Sequence, residues 1–242
     1  MLLEILLRHM KILLFIVSVS IGFSFCAYSQ ETVILLHGLV RSPHSMNKME
    51  KRLKKEGYEV ANIGYPSTKH GIEELSAIVR EKIVSNTVDA TTVHFVTHSM
   101  GGILLRYIQE YDPMENIGRV IMLSPPNQGS EVVDKLGDYK MFKWINGPAG
   151  LQLGTGEGNF IAKLKPVNFE LGVITGDRSI NWILSSLIKG TDDGKVSIEQ
   201  AQVDGMNEFK VVHATHPFIM KNKQVIESVI MFLKTGSFET KE

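Results

Sequence analysis

The sequence predicts an α/β protein: a mostly parallel central sheet with helices on both faces. Short apolar, β-branched runs alternate with longer segments of helical periodicity, and four such strand–helix units follow one another between residues 32 and 126. The chain has 242 residues, 43% hydrophobic and 21% charged, with no internal repeat, low-complexity tract or linker, so a single sizeable core is expected after the N-terminal leader.

Each element follows from local pattern. TVILLH (32–37) is a continuous apolar run, as expected of a buried parallel strand. SMNKMEKRLKKEGYE (45–59) is helical in period and is stopped at Gly57. EVANIGY (59–65) predicts the second strand, and GIEELSAIVREKIVS (71–85) a helix whose apolar residues Ile72, Leu75, Ile78, Val79 and Ile83 share one face. TVHFVT (92–97), a helix from about Met100 to Glu110, and RVIMLSPP (119–126) complete the four units. From 127 to 166 regularity breaks: seven glycines, from Gly129 to Gly158, stand among Phe142, Trp144, Leu151, Leu153 and Phe160. Such a stretch is a surface excursion, or a cap or lid over a site. Strands return at FELGVIT (169–175) and FKVVHAT (209–215), and KQVIESVIMFLKTG (223–236) is an amphipathic helix with Gly236 just past its end.

The N-terminus reads as a leader. Lys11 heads an apolar run from Ile12 to Cys26, and Ala27-Tyr28-Ser29 precedes Gln30, the layout of a secretory signal peptide cleaved after residue 29. Met10 is a second candidate start, because residues 1–9 carry Glu4 and lack a basic head. An uncleaved membrane anchor is the alternative, although the apolar run is shorter than the roughly 20 residues a spanning helix needs. The expected product is an exported protein, periplasmic or secreted. Cleavage removes Cys26, the only cysteine, and with it any disulfide or thiol chemistry; bulky Phe25 argues against lipidation there. Lys+Arg and Asp+Glu both number 26, without a block of one sign, so nucleic acid is not an expected partner.

One stretch carries chemistry. In VHFVTHSMGGILLRY (93–107), Ser99 stands between a buried strand and a helix, with Gly101-Gly102 just behind it. Strand–turn–helix is the context of a nucleophile elbow, Gly-x-Ser-x-Gly, in which a sharp turn pushes the serine hydroxyl outward. Here the first glycine is replaced by Thr97, a departure that bears on the geometry of the turn.

A serine hydroxyl needs a base to take its proton, and the base needs a third group to fix its tautomer. Downstream, VVHATHPFIM (211–220) offers His213 and His216. Strand alternation turns His213 into packing, whereas His216 lies in the loop before the last helix and is the preferred base. For the acid, Asp193 heads the tight turn Asp193-Gly194-Lys195-Val196; Asp192 adjoins it, and Asp177, directly after a strand, is the geometrical rival. For the oxyanion of a tetrahedral intermediate, Gly38 in HGLVRS (37–42) lets the Leu39 N–H face the site, paired with the Met100 N–H at the helix start. His37 reads as a structural residue of that loop.

These motifs resemble the α/β-hydrolase superfamily, and within it the bacterial lipase and esterase group with His-Gly loops and His-Ser-Met-Gly-Gly elbows. The resemblance runs from about Thr32 to Phe238, through SPPNQGSE (124–131), DGKV (193–196), THPFIM (215–220) and FLKTG (232–236). It implies Ser99 as nucleophile, Asp193 as acid, His216 as base, and Leu39 and Met100 as oxyanion donors.

The expected function is hydrolysis of carboxylic esters with an apolar acyl group through an acyl-enzyme, with Phe142, Trp144, Leu151 and Leu153 as candidate walls for the acyl chain. The expected partners are acyl ester or lipid substrates, with transient contact at a lipid surface. A thioesterase, phospholipase or acyltransferase would use the same groups. A non-catalytic binding protein on this scaffold would be expected to lack one triad position, and all three have candidates. No metal or organic cofactor is expected: the eight histidines lack ligand spacing with carboxylates, and no Gly-rich phosphate loop follows a strand.

Overall fold

Six strands pair side by side, all parallel, in the order β2-β1-β3-β4-β5-β6. They are β1 (Glu31–Leu36), β2 (Glu59–Ile63), β3 (Thr92–His98), β4 (Ile117–Leu123), β5 (Leu171–Gly176) and β6 (Glu208–Val212). The structure, a computed structural model, describes residues 30–156, 158 and 160–239; the expected leader, 1–29, lies outside them. No helix among the described residues is long and apolar enough to cross a membrane.

Alternation along each strand builds two cores. Ile34 and Leu36 of β1, Val93 and Phe95 of β3, and Val120 and Met122 of β4 face one way, against α2 (Ile72–Asn86) and α3 (Met100–Tyr111). Val33, Leu35, Val96, Ile121 and Leu123 face the other, against α1 (Asn47–Lys55) and α7 (Lys223–Thr235). Fully burying each such aliphatic side chain contributes roughly 1.5–3 kcal/mol, and a register slip of one residue would exchange the faces. The class expected from the sequence is therefore the class observed. The terminal helix is closed at both ends: Asn222 Oδ1 accepts the Gln224 and Val225 amides, and Gly236 takes the left-handed conformation at φ 74°.

The differences from the sequence reading are local. The first helix starts as a single 3₁₀ turn, Pro43–Met46, and ends at Lys55, so Gly57 lies beyond it. Strand β4 stops at Leu123 and β6 at Val212, which puts Ser124 and His213 outside the sheet. The stretch 127–166 is more regular than its glycines suggest, containing α4 (Glu131–Leu136) and α5 (Lys140–Leu151). Gly147, at φ 65°, and Pro148 kink α5 rather than abolish it, and Asn146, Ala149 and Gly150 still turn inward at helical spacing.

The chain enters at β1, leaves to the edge at β2, and returns to β3 on β1's other side. That reversal splays the loops leaving the carboxyl ends of β1 and β3 and opens a crevice between them.

Candidate active site

Ser99 stands at that crevice, the single residue between β3 and α3. Its backbone is left-handed, φ 53° and ψ −125°, a conformation that costs a non-glycine residue on the order of 1–3 kcal/mol. The glycine pair behind it explains how the turn fits. A Cβ on Gly101 would lie 2.7 Å from the Leu36 carbonyl oxygen, and one on Gly102 would lie 3.0 Å from Met122 Sδ and 3.2 Å from Thr97 Oγ1. Helix α3 thus rests directly on the end of β1, and Gly102 makes room for the threonine that replaces the motif's first glycine.

Three side chains from three loops meet here. The Ser99 hydroxyl lies 3.1 Å from His216 Nε2, and His216 Nδ1 lies 2.8 Å from Asp193 Oδ2. With the carboxylate accepting from Nδ1–H, Nε2 is left as the acceptor for the hydroxyl proton. Asp193 is fully enclosed. Its Oδ1 accepts the Lys195 and Val196 amides at 3.1 and 3.0 Å, and its backbone carbonyl accepts the His216 amide at 2.9 Å, so acid and histidine are tied by main chain as well. Burial alone would raise the Asp193 pKa. The His216 charge and hydrogen bond, together with the Val196 amide, outweigh it and hold the carboxyl below its ordinary range.

The rival residues lie elsewhere. Asp177 and His213 pair with each other, Nδ1 to Oδ1 at 3.0 Å, with His213 exposed at the surface. The expectation that His213 packs inward fails because β6 has already ended, and alternation no longer governs its direction. Asp192 is buried and structural: its Oδ1 accepts the Ser185 hydroxyl at 2.6 Å and the Gly194 amide at 2.7 Å. His37 is also structural. It stacks on Tyr65 at 4.1 Å, donates from Nδ1 to the Gly38 carbonyl, and is held neutral by burial, which lowers its pKa.

Leu39 and Met100 flank Ser99 from the loop after β1 and from the first turn of α3. A Cβ on Gly38 would lie 3.1 Å from Ser99 Cβ, so glycine brings the Leu39 backbone alongside the serine. Among the described residues neither amide donates to a protein acceptor, so both N–H groups remain available, the Met100 one as the first of its helix. Among the described residues three non-glycine residues have left-handed φ, namely Val40 (55°), Ser99 (53°) and Ser124 (47°), and they follow β1, β3 and β4 at the same edge of the sheet. Backbone strain among the described residues is thus gathered around this crevice.

Two contacts had only a weak signal in the sequence. His98, read as one letter of the elbow motif, donates from Nε2 to the His216 carbonyl at 3.1 Å and lies ring to ring with it at 4.9 Å. Burial, then the neighbouring His216, keeps its pKa well below the ordinary histidine value. Arg106, on α3, is buried and gives its guanidinium to the carbonyls of Asn127, Leu164 and Lys165, tying the helix behind Ser99 to both ends of the 127–166 excursion.

The crevice opens into a pocket of about 240 Å³ whose apolar wall is Val132, Val133 and Leu136 of α4, Phe142 and Ile145 of α5, and Leu184 of the short α6 (Trp182–Ser185). Of the four wall residues expected from the sequence, only Phe142 lines it. Trp144 is 85% exposed, Leu151 is partly exposed at the end of α5, and Leu153 packs in the core against α2 and α3.

The all-parallel sheet with this crevice at its carboxyl edge has the α/β-hydrolase fold, and the family model places the chain in the carboxylic ester hydrolase class. Residues 32–160 match the family model of palmitoyl protein thioesterase, and the chain belongs to that family. The match spans Ser99 and the His37–Arg41 loop and ends before Asp193 and His216. No curated protein matches the sequence. Among solved structures, the chain is similar to the mature form of Bacillus licheniformis lipase BlEst2, with 20% identity, 87% of this chain and 93% of that one covered, and a TM-score of 0.63. It is also similar to phospholipase PlaB from Legionella pneumophila in complex with thio-NAD (17% identity, 71% and 44% covered, TM-score 0.61). A third is an extracellular alpha/beta-hydrolase from a Paenibacillus species (13% identity, 83% and 97% covered, TM-score 0.54).

Proposed function

We propose that this protein is an exported serine hydrolase that cleaves acyl esters or thioesters, with Ser99 as nucleophile, His216 as base and Asp193 as the acid that orients it. The observation that carries the reading is the unbroken hydrogen-bonded chain from Ser99 through His216 to the enclosed Asp193, at the floor of an apolar-walled pocket. Ser99 Oγ attacks the acyl carbon while its proton passes to His216 Nε2. The Leu39 and Met100 amides stabilise the oxyanion, and the same proton then goes to the leaving alcohol or thiol as its bond to the acyl carbon breaks. Water repeats the sequence and frees the acid.

The family model supports thioesters alongside oxygen esters as substrates. The chain's two tryptophans, Trp144 and Trp182, are 85% and 79% exposed on the helices that flank the pocket, the placement expected if α4, α5 and α6 cap a site that takes its substrate from a lipid surface. The apolar run at 12–26 and the extracellular Paenibacillus relative support export after cleavage near residue 29.

The test is labelling with a fluorophosphonate, run beside hydrolysis of p-nitrophenyl esters of increasing acyl length and of a palmitoyl thioester. Ser99 should be the modified residue, and labelling and hydrolysis should vanish together in His216→Ala. Modification elsewhere, or hydrolysis persisting in folded Ser99→Ala, would remove the serine from this role.

A further inference from the structure

We propose that Arg41 and Lys195 form an anion subsite beside Ser99, so that the ester taken by this site carries a phosphate on its leaving-group side. The inference rests on the hydrolase reading above and extends it to the substrate class.

The pocket is two-sided. Its apolar wall comes from α4, α5 and α6, but the loops that carry the candidate oxyanion donor and acid each add a cation, and no carboxylate lines the pocket. Arg41 follows Leu39 and the strained Val40; Lys195 is two residues past Asp193. Elsewhere Arg52, Arg80 and Arg119 each hold a carboxylate, whereas Arg41 and Lys195 hold none among the described residues. The obvious partner, Asp193, is already engaged: Oδ1 takes two amides and Oδ2 takes His216. The Lys195 main chain is pinned on both sides, its N–H to Asp193 and its carbonyl accepting the Ser130 hydroxyl at 2.8 Å, so the lysine springs from a fixed point.

The two charges sense each other. At the exposed mouth of the pocket, partial desolvation and then the Arg41 guanidinium lower the Lys195 ammonium from the ordinary lysine range against the pull of Asp193, and both cations press on His98. An anion between them would relieve that repulsion. A phosphate suits two cations better than a carboxylate does, because it spreads several acceptor oxygens around one centre and matches the arginine fork. Its side is fixed by the chemistry. His216 must hand its proton to the leaving atom, and Lys195 emerges from the turn that holds the partner of His216. The phosphate belongs either to a phospholipid headgroup or to a soluble phosphate-bearing acyl donor.

The experiment compares kcat/KM for substrates of matched acyl chain: a neutral p-nitrophenyl ester, a lysophosphatidylglycerol and an acyl coenzyme A thioester. Enzymes are the wild type, Arg41→Gln, Lys195→Gln, the double variant and Lys195→Arg. The ratio of anionic to neutral substrate should fall on the order of tenfold in the double variant, recover in Lys195→Arg, and fall with ionic strength in the wild type. Loss on both anionic substrates supports the shared phosphate; loss on one alone supports the subsite and names its source. Equal loss on neutral and anionic substrates, or no change in the ratio, would overturn the subsite while leaving the hydrolase reading intact. A wild type that cleaves none of the three would remove both.

Discussion

Two aspartate–histidine pairs lie at one edge of the sheet, with their histidines three residues apart. Asp193–His216 is 2.8 Å long and its side chains are 0% and 5% exposed; Asp177–His213 is 3.0 Å long and its side chains are 35% and 71% exposed. Residue types and bond lengths barely distinguish them. What differs is the surroundings: Asp193 has both oxygens saturated and its backbone bonded to that of His216, while Asp177 and His213 share one exposed side-chain hydrogen bond. An exposed pair contributes roughly 0–1 kcal/mol and holds its geometry loosely, whereas an enclosed, fully hydrogen-bonded one can hold an imidazole in a single tautomer. Burial and donor count, rather than pairing, are what separate the pair proposed to work from the one proposed to be idle.

The sharpest way to break this comparison is to exchange the histidines' fates. His216→Ala should lower kcat for ester hydrolysis on the order of a millionfold and abolish fluorophosphonate labelling of Ser99, whereas His213→Ala should stay within about twofold of wild type. Labelling lost in His213→Ala and kept in His216→Ala would reverse the assignment. The acids give the next largest contrast. Asp193→Asn keeps the shape but loses the carboxylate, and should cost about ten-thousandfold in kcat, while Asp177→Asn should leave the rate nearly unchanged. A crippled Asp177→Asn would place the acid at the end of β5.

A smaller effect sharpens the comparison through pH. His98, which holds the His216 carbonyl, is enclosed and its pKa is lowered, so the unfolded chain binds a proton there that the folded chain refuses. Its contribution is complete above the ordinary histidine value near 6.5 and is lost as pH falls below it, at up to about 1.4 kcal/mol per pH unit for one proton. Urea melts of wild type and His98→Gln between pH 7 and 5 should show a shallower slope in the variant. Equal slopes would mean that His98 is already protonated in the folded state.

The sheet and its long helices were legible because a period of two or 3.6 in apolar residues is a direct image of burial. In α2 the spacing puts Ile72, Leu75, Ile78, Val79 and Ile83 on one face; four of them are buried and Ile78, at its margin, is only half-buried. That Ser99, Asp193 and His216 would meet was legible for another reason: each lies in a turn or loop whose small or constrained neighbours, Gly101, Gly194 and Pro217, mark where the chain bends. Helices α4 and α5 were hidden because glycine counts for disorder in a pattern, although Gly147 only kinks its helix. His213 was misdirected because alternation was extended one residue beyond the end of β6. The pairing of Asp177 with His213 had no local signal, since the two are 36 residues apart and meet only once β5 and β6 are side by side.

Val40 adds a consequence for anyone who would engineer this chain. A β-branched residue at φ 55° sits where glycine would be more comfortable: relieving the strain returns about 1–3 kcal/mol, more than the roughly 0.5–1 kcal/mol of extra backbone entropy a glycine loses on folding. Val40→Gly should therefore raise the thermal midpoint by a few degrees while loosening the loop that carries Leu39 and Arg41, visible as a lower kcat on the same ester. A selection for heat resistance alone would drift toward that glycine and away from turnover, so thermal tolerance and catalytic rate are opposed at this position.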